Sequence, residues 1–455
     1  MEEKDVIIIG AGISGLACAH FLKRQRPELS VLVVEKSDQA GGVIRSHSEQ
    51  GYLCEWGPHG FLDNKEESRE ILADLDLIHE VQRAPLSEFQ RYLCRQGRLV
   101  ALPQKPLELL TSKLLTPWAK VRLLGDLCRK PLAGQPTIGE WAAYRFGKGV
   151  LPLVDAAVTG TFSGDLDRLS MDAVMPGVRR LEMEHGSLLR GLKKKGRAKK
   201  EKSSAFLPAM INFQQGLEKL VQAMAKGHEI KNGCEVHGLA PQGERWQLAT
   251  NGGPLLARHV ICALPVNRAL ALLAPFRPPV QQVPESFICN VSLGFVDNGA
   301  IPKGFGYLTP ECEGRFVLGC MFTSRMFPGR APQGRVLLEA LVGGRRHPER
   351  LELSDEEMGR RVVADLRQLL PLPEAPEFVR VLRPPSGIPQ LEKDHLDLLA
   401  WRTELEEQNR GLALCGFGWD GIGINDMTRS ARQAVAAMGQ ERRSDQGPEV
   451  KPVYF

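Results

Sequence analysis

One feature near the start constrains the chain more than any other. Val6-Ile7-Ile8-Ile9 is an unbroken β-branched run, the pattern of a strand buried on both faces of a parallel sheet. It leads into Gly10-Ala11-Gly12-Ile13-Ser14-Gly15, and Ile13, Leu16, Ala17, His20 and Phe21 then recur at helical spacing. A second run, Val31-Leu32-Val33-Val34, follows at the distance a βαβ unit requires and ends on Glu35. Gly10 permits a tight turn, Gly12 a close backbone approach to a pyrophosphate, and Gly15 close packing of helix on strand. Ala11, Ile13 and Ser14 complete a helix start whose N–H groups and positive dipole end suit a dinucleotide. Glu35 accepts hydrogen bonds from ribose hydroxyls and repels a 2′-phosphate.

With 455 residues the chain exceeds one simple core, so two or three lobes are expected. A net charge of +5 without a basic face excludes nucleic acid as a partner. The ten cysteines form no CxxC pair and none has metal-ligand spacing to histidine. Met1 leads straight into a strand without a signal-peptide pattern, so free thiols in a reducing, cytoplasmic compartment are expected. No apolar run approaches the roughly 18 residues of a membrane span. No Ser-His-Asp, paired-carboxylate or metal constellation emerges, so no catalytic side chain and no metal ligand is assigned.

NAD and FAD share the opening grip, and the residues after Glu35 choose between them. Lys36-Ser37-Asp38-Gln39-Ala40-Gly41-Gly42-Val43-Ile44-Arg45 places a Gly-Gly pair and then a basic residue where a nicotinamide enzyme continues into a crossover helix. This resembles the second glycine motif of the glutathione-reductase-like flavoproteins, in their amine oxidase and protoporphyrinogen oxidase branch, and implies FAD. Glu55-Trp56-Gly57-Pro58-His59-Gly60-Phe61 resembles the family loop beside the flavin ring. Ile211–Leu217 with the following helix resembles the family's GG-L…L helix, and Val236 matches the position whose backbone holds the adenine.

The C-terminal stretch Gly411-Leu412-Ala413-Leu414-Cys415-Gly416-Phe417-Gly418-Trp419-Asp420-Gly421-Ile422-Gly423-Ile424-Asn425-Asp426 reads as a strand, a glycine cluster and a helix start. A helix N-terminus aimed at the flavin stabilises negative charge on it. With Ser430 and Arg432-Gln433-Ala434, this stretch is similar to the closing motif of the protoporphyrinogen oxidase family. Ile388-Pro389-Gln390 and Gly160-Thr161-Phe162-Ser163-Gly164-Asp165…Leu169-Ser170 resemble two more of its elements. The cofactor residues so implied are Gly10 to Gly15, Glu35, Lys36, Gly41, Gly42, Val43, Gly57, Pro58, His59, Gly60, Val236, Gly416, Ile422, Gly423 and Ile424. Three positions depart from the family: Leu391 replaces a Tyr, Asp394-His395 a Gly-His pair, and Ala431 a Gly.

The resemblance also implies a porphyrinogen substrate, with dioxygen reoxidising the flavin. Arg91 matches an Arg that pairs with a propionate, a task suited to a planar fork. Phe305 and Leu308 match residues that sandwich a pyrrole ring, Gly306 is expected to leave room for the macrocycle, and Gly160 belongs to the same pocket. The expected fold is α/β. A Rossmann-like FAD-binding domain of the glutathione-reductase/amine-oxidase type (1–60, 205–265, 385–439) carries a mixed-sheet substrate domain (61–85, 266–384). A mostly helical insertion (86–204), in which Arg91–Cys94 and Gly97–Pro103 look like a hairpin, and a tail (440–455) complete it. The apolar, Pro-broken stretch from Leu102 to Trp118 suits either a membrane surface or core packing. The basic run from Arg190 to Lys202 reads as a solvated loop, with anionic lipid as the sharper alternative. A homodimer is left open, as is protoporphyrinogen versus coproporphyrinogen. Two other readings compete: an amine oxidase or carotenoid desaturase, with Phe417 and Trp419 as the only cage aromatics, and a flavin-free binding protein like the Rab GDP-dissociation inhibitors. The intact Gly10, Gly12, Gly15, Glu35, Gly41 and Gly42 oppose the latter.

Overall fold

The computed structural model describes residues 2–103, 108, 111–200, 208–373 and 375–438, without the side chains of 195–200. Strand Glu2–Ile9 lies between Val31–Val34 and Leu255–Cys262, parallel to both. Ile230–Lys231 extends one edge and Leu412–Leu414 the other, again parallel. An antiparallel meander, Val236–Gln242 and Arg245–Thr250, is attached through Leu255–Cys262. Alternate side chains of the first strand enter different cores, as the two-residue period of a strand demands. Val6 and Ile8 pack with the opening helix Ile13–Gln25 and the closing helix Ile424–Ala437. Ile7 and Ile9 pack beneath the meander. Both faces are covered, which explains the unbroken apolar run.

A second sheet of seven strands runs in the order Phe378–Leu382, Ile288–Val296, Arg335–Gly343, Gly319–Met321, Gly304–Leu308, Gln90–Arg95 and Arg98–Ala101. Cys289, Val291, Leu293, Phe295, Val336, Leu338, Ala340 and Val342 form its apolar face, packed with Met358, Val362 and Leu366 of helix Asp355–Leu366. The alternate positions, among them Asn290, Ser292 and Glu339, point the other way. The hairpin suggested by Arg91–Cys94 and Gly97–Pro103 is present as strands 90–95 and 98–101. It belongs to this sheet and not to the helical insertion, because strand 90–95 pairs with 304–308. Segment 61–85 departs too: Phe61–Leu62 and Val81–Pro85 flank Ala209–Phe213 in a small separate sheet.

Helices between Pro117 and Lys200 surround a core that includes Trp141, Val158, Phe162 and Leu169. Their centre is ionic. Arg145, Asp126 and Glu182 are fully buried, with Arg145 donating to Glu182 Oε1 (2.7 Å) and Asp126 Oδ1 (2.9 Å). Arg190, Lys193 and Lys194 stand on helix Leu188–Lys200 rather than on a loop. Lys202, much of 104–110 and the tail 440–455 lie outside the described residues. Among the described residues no helix is long and apolar enough to cross a membrane.

Candidate active site

The opening helix begins at Gly12 with no side chain capping it and no acid in its first turn. Gly10 turns the chain at φ +99°, and a Cβ on Gly15 would lie 1.8 Å from the Gly10 carbonyl oxygen, so only glycine allows this helix so close to the strand. A Cβ on Gly12 would meet nothing within 4 Å. That glycine is free of any packing demand from the protein. Glu35 is buried, with Oε2 accepting from Ala11 N–H (2.8 Å) and Oε1 from Ser37 N–H (2.9 Å). Its carbonyl accepts from Cys234 N–H, which brings Val236 to the same edge, while Lys36 points to solvent.

The second glycine pair closes over the first. Gly41 N–H donates to Ala11 O (2.8 Å), and a Cβ on Gly42 would sit 3.4 Å from Gly12 Cα. Beside it runs the Gly57–Gly60 loop, with Trp56 N–H donating to Arg45 O. A Cβ on Gly57 would strike Val43 O at 2.4 Å, and one on Gly60 would strike Ile211 O at 2.7 Å. Pro58 and His59 between them stay partly exposed.

The C-terminal cluster arrives from the far side. Gly10 and Gly416 bracket one turn: the Cβ each lacks would lie 3.1 Å from Leu264 Cδ2 and 2.5 Å from Leu264 O respectively. Cys18 of the opening helix and Cys415 are 3.6 Å apart at sulfur. Gly423 caps the closing helix and donates its N–H to Asp426 Oδ2, so Ile424 opens that helix. Ile422 leans on the helical lobe. Asn425 Nδ2 donates to Leu62 O, which sets this helix start just past the Gly57–Gly60 loop. Asp420 anchors the turn. Burial favours its neutral form, but the facing Arg402 guanidinium (2.8 Å to each oxygen) and Ser430 hydroxyl hold the carboxyl at about 2.

Residues 13–438 match the family of flavin containing amine oxidoreductases. The chain belongs to that family. Human protoporphyrinogen oxidase is 31% identical over 484 residues, covering 97% of this chain and all of the human one. Coproporphyrinogen III oxidase of Bacillus subtilis is 26% identical over 459 residues, covering 95% and 97%. A crystal structure from Exiguobacterium sp. 255-15, provisionally assigned as a protoporphyrinogen oxidase, superposes with TM-score 0.79 at 22% identity, covering 96% and 98%. Membership in the flavin containing amine oxidoreductases makes the cofactor FAD, and the crevice fits it. Two helix N-termini, an unfilled space over Gly12 and a buried acid at the end of the second strand serve an anionic dinucleotide better than any protein segment.

The second sheet carries most of the positions expected to meet substrate. Arg91 lies opposite Gly306 in the parallel pairing of 90–95 with 304–308. Burial pushes its pKa down, its Nε has no hydrogen-bond partner, and no acid among the described residues pairs with it. Gly160 is exposed on helix Leu151–Phe162, and a Cβ there would meet Leu308 Cδ1 at 2.7 Å. Phe305 is buried with Phe89, Met326 and Phe327. The reason expected for Gly306 is corrected. At φ +132° its missing Cβ would fall 2.1 Å from Cys320 O, so the neighbouring strand, not a ligand, demands glycine. Trp419 is fully buried in a core, leaving Phe417 alone as a cage aromatic, which weakens the amine oxidase reading within the family.

A buried polar cluster links the second sheet to strands Tyr52–Glu55 and Ala209–Phe213, and no motif of the sequence points to it. It comprises Glu55, Asn212, Asn290, Thr323, Arg330 and Glu339. Glu339, the lone acid in the apolar strand Arg335–Gly343, was the signal available in the sequence.

Proposed function

We propose that the chain oxidises a porphyrinogen to the corresponding porphyrin, with protoporphyrinogen IX as substrate, in haem biosynthesis. The observation that carries this is Arg91: a half-buried guanidinium without an acid partner among the described residues, on the strand paired with Gly304–Leu308. A desolvated cation is costly unless it is paired, and a propionate carboxylate supplies the partner. FAD, when bound, supplies the hydride acceptor. The chain's own part is to place a bridging methylene of the macrocycle against it. In this reading Leu308, seated on Gly160, and Phe305 give apolar contact, and Glu35, Gly12, Gly42, Val43, Val236 and the Gly416–Ile424 segment hold the cofactor. Dioxygen is the final acceptor and hydrogen peroxide the product, three of each for six electrons. Aerobic incubation with protoporphyrinogen and coproporphyrinogen separately, following porphyrin absorbance, tests the reading. Faster conversion of one names the substrate. Conversion of neither removes the proposal.

An anionic membrane surface completes it. Trp118, Val121 and Leu124 project from helix Pro117–Leu124 with 84%, 62% and 57% of their surface exposed. Arg190 Nη2 donates to Leu127 O, tying the basic helix to the same patch. Apolar anchors beside lysines favour the interface of an anionic bilayer. Sedimentation with anionic but not neutral vesicles, lost in Trp118→Asp, is expected. Equal recovery of both variants in the supernatant would refute it.

A further inference from the structure

Glu339 is wholly buried, and so are Glu55 and Arg330. Arg330 Nη1 donates to Glu55 Oε1 (2.7 Å), which also accepts from Asn212 Nδ2 (2.9 Å) and Leu217 N–H (3.0 Å). Ser46 Oγ donates to Glu55 Oε2 (2.6 Å). Glu339 Oε1 accepts from Asn290 Nδ2 (3.0 Å), and Oε2 accepts from Thr323 Oγ1 (2.5 Å). Two carboxylates and one guanidinium leave one negative charge uncompensated in a dry site, an expensive arrangement. The remaining group at hand is His59, whose Nε2 lies 3.4 Å from Glu339 Oε2. Protonation of this imidazole brings the cluster to neutrality. Asn290 Nδ2 also lies 3.2 Å from His59 Nε2, but its two hydrogens are taken by the nearer Glu55 O (2.9 Å) and Glu339 Oε1 (3.0 Å), which leaves His59 Nε2 to donate to Glu339. Nδ1 has no partner among the described residues, and 12% of the side chain stays exposed. His59 sits on the loop that lies against Val43 at one end and precedes the Asn425 contact at the other.

We propose that His59 is an imidazolium anchored through Nε2 by Glu339, presenting its Nδ1–H to the flavin and stabilising the negative charge gained on two-electron reduction. This rests on the flavin reading of the crevice. Reduction to the anionic form takes two electrons and one proton, and His59 keeps its own proton beside the charge. Wherever His59 is neutral before reduction, it takes up one further proton. Facing groups agree with the assignment: Glu339 and then Glu55 push the His59 pKa above its ordinary value against burial and Arg330. Cys54 and Cys320, beside Glu339, are pushed up by burial (Cys54 to about 12) and stay neutral.

The test is the midpoint potential of the holoenzyme against pH, by dye-equilibrated reduction. The wild type shows a break to a steeper fall with pH, placed above the ordinary histidine value of about 6.5, from where reduction draws in the extra proton. His59→Gln keeps its flavin absorbance, loses that break and holds reduced cofactor at least tenfold less well, about 30 mV for a two-electron couple. His59→Arg restores the potential without the break, and Glu339→Gln moves the break to lower pH. An unchanged potential and profile in His59→Gln overturns the inference, as does loss of flavin from that variant, which would make His59 a support for the loop. Wild-type protein without flavin would instead defeat the reading beneath it.

Discussion

The same substitution at two glycines of one motif separates the cofactor's demands from the protein's own. At Gly12 the backbone (φ −74°, ψ 179°) suits alanine, and the added Cβ would meet nothing within 4 Å. Alanine caps a helix less well than glycine, by about 1 kcal/mol, but restricts the unfolded chain by about 0.4–1 kcal/mol, so the two effects nearly cancel. The apoprotein should therefore change in stability by no more than about 0.5 kcal/mol. The methyl group fills the space reserved for the pyrophosphate, where overpacking costs about 1–3 kcal/mol, or about 5- to 150-fold in affinity. At Gly15 the Cβ would lie 1.8 Å from Gly10 O, a backbone atom that cannot step aside. Gly15→Ala should destabilise the apoprotein by about 1–3 kcal/mol or more before any cofactor is added. Denaturant unfolding of both apoproteins, with FAD titration by fluorescence quenching, gives the two numbers. Wild-type FAD affinity in Gly12→Ala, or equal destabilisation by both changes, would refute the reasoning.

Three further outcomes are expected. Arg330→Met leaves Glu55 buried beside Glu339 without its guanidinium and should cost about 3–5 kcal/mol, read as a lowered denaturation midpoint; a change below 1 kcal/mol would deny the pair its place in the core. Arg91→Ala should raise KM about 10- to 150-fold, the worth of about 1.5–3 kcal/mol for a charged hydrogen bond, with the flavin spectrum unchanged; loss of flavin instead would move Arg91 out of the substrate wall. Asp420 and Glu339 are each held at about 2, below their unfolded values, so their stabilisation is full above about pH 4.5 and lost as pH falls toward 2. Asp420→Asn should remove part of that slope, on the order of 2–3 kcal/mol, and an unaltered acid-unfolding curve would contradict the pairing.

What the sequence disclosed follows from range. Gly10 to Glu35 is a local unit: strand period, glycine spacing and helix period all fall within one crossover, so each is readable without knowing the partners. The meeting of Gly416 with Gly10 was legible only through resemblance, because nothing between them records that both abut Leu264. Register was illegible. The parallel pairing of 90–95 with 304–308 has no turn to announce it, which is why the hairpin was expected among helices and Gly306 was given a ligand to avoid instead of Cys320 O. The Glu55–Arg330–Glu339 cluster joins Glu55 to a stretch some 275 residues later, and only the intrusion of Glu339 into Val336-Leu337-Leu338 and Ala340-Leu341-Val342 marked it.

The most direct measurement mixes the purified, flavin-bearing protein with protoporphyrinogen IX in the absence of oxygen and follows the visible absorbance of the cofactor. Bleaching within the turnover time, reversed on admitting air with porphyrin formed, is the predicted result. Absorbance that stays constant with both protoporphyrinogen and coproporphyrinogen, while dithionite still bleaches it, would contradict the account.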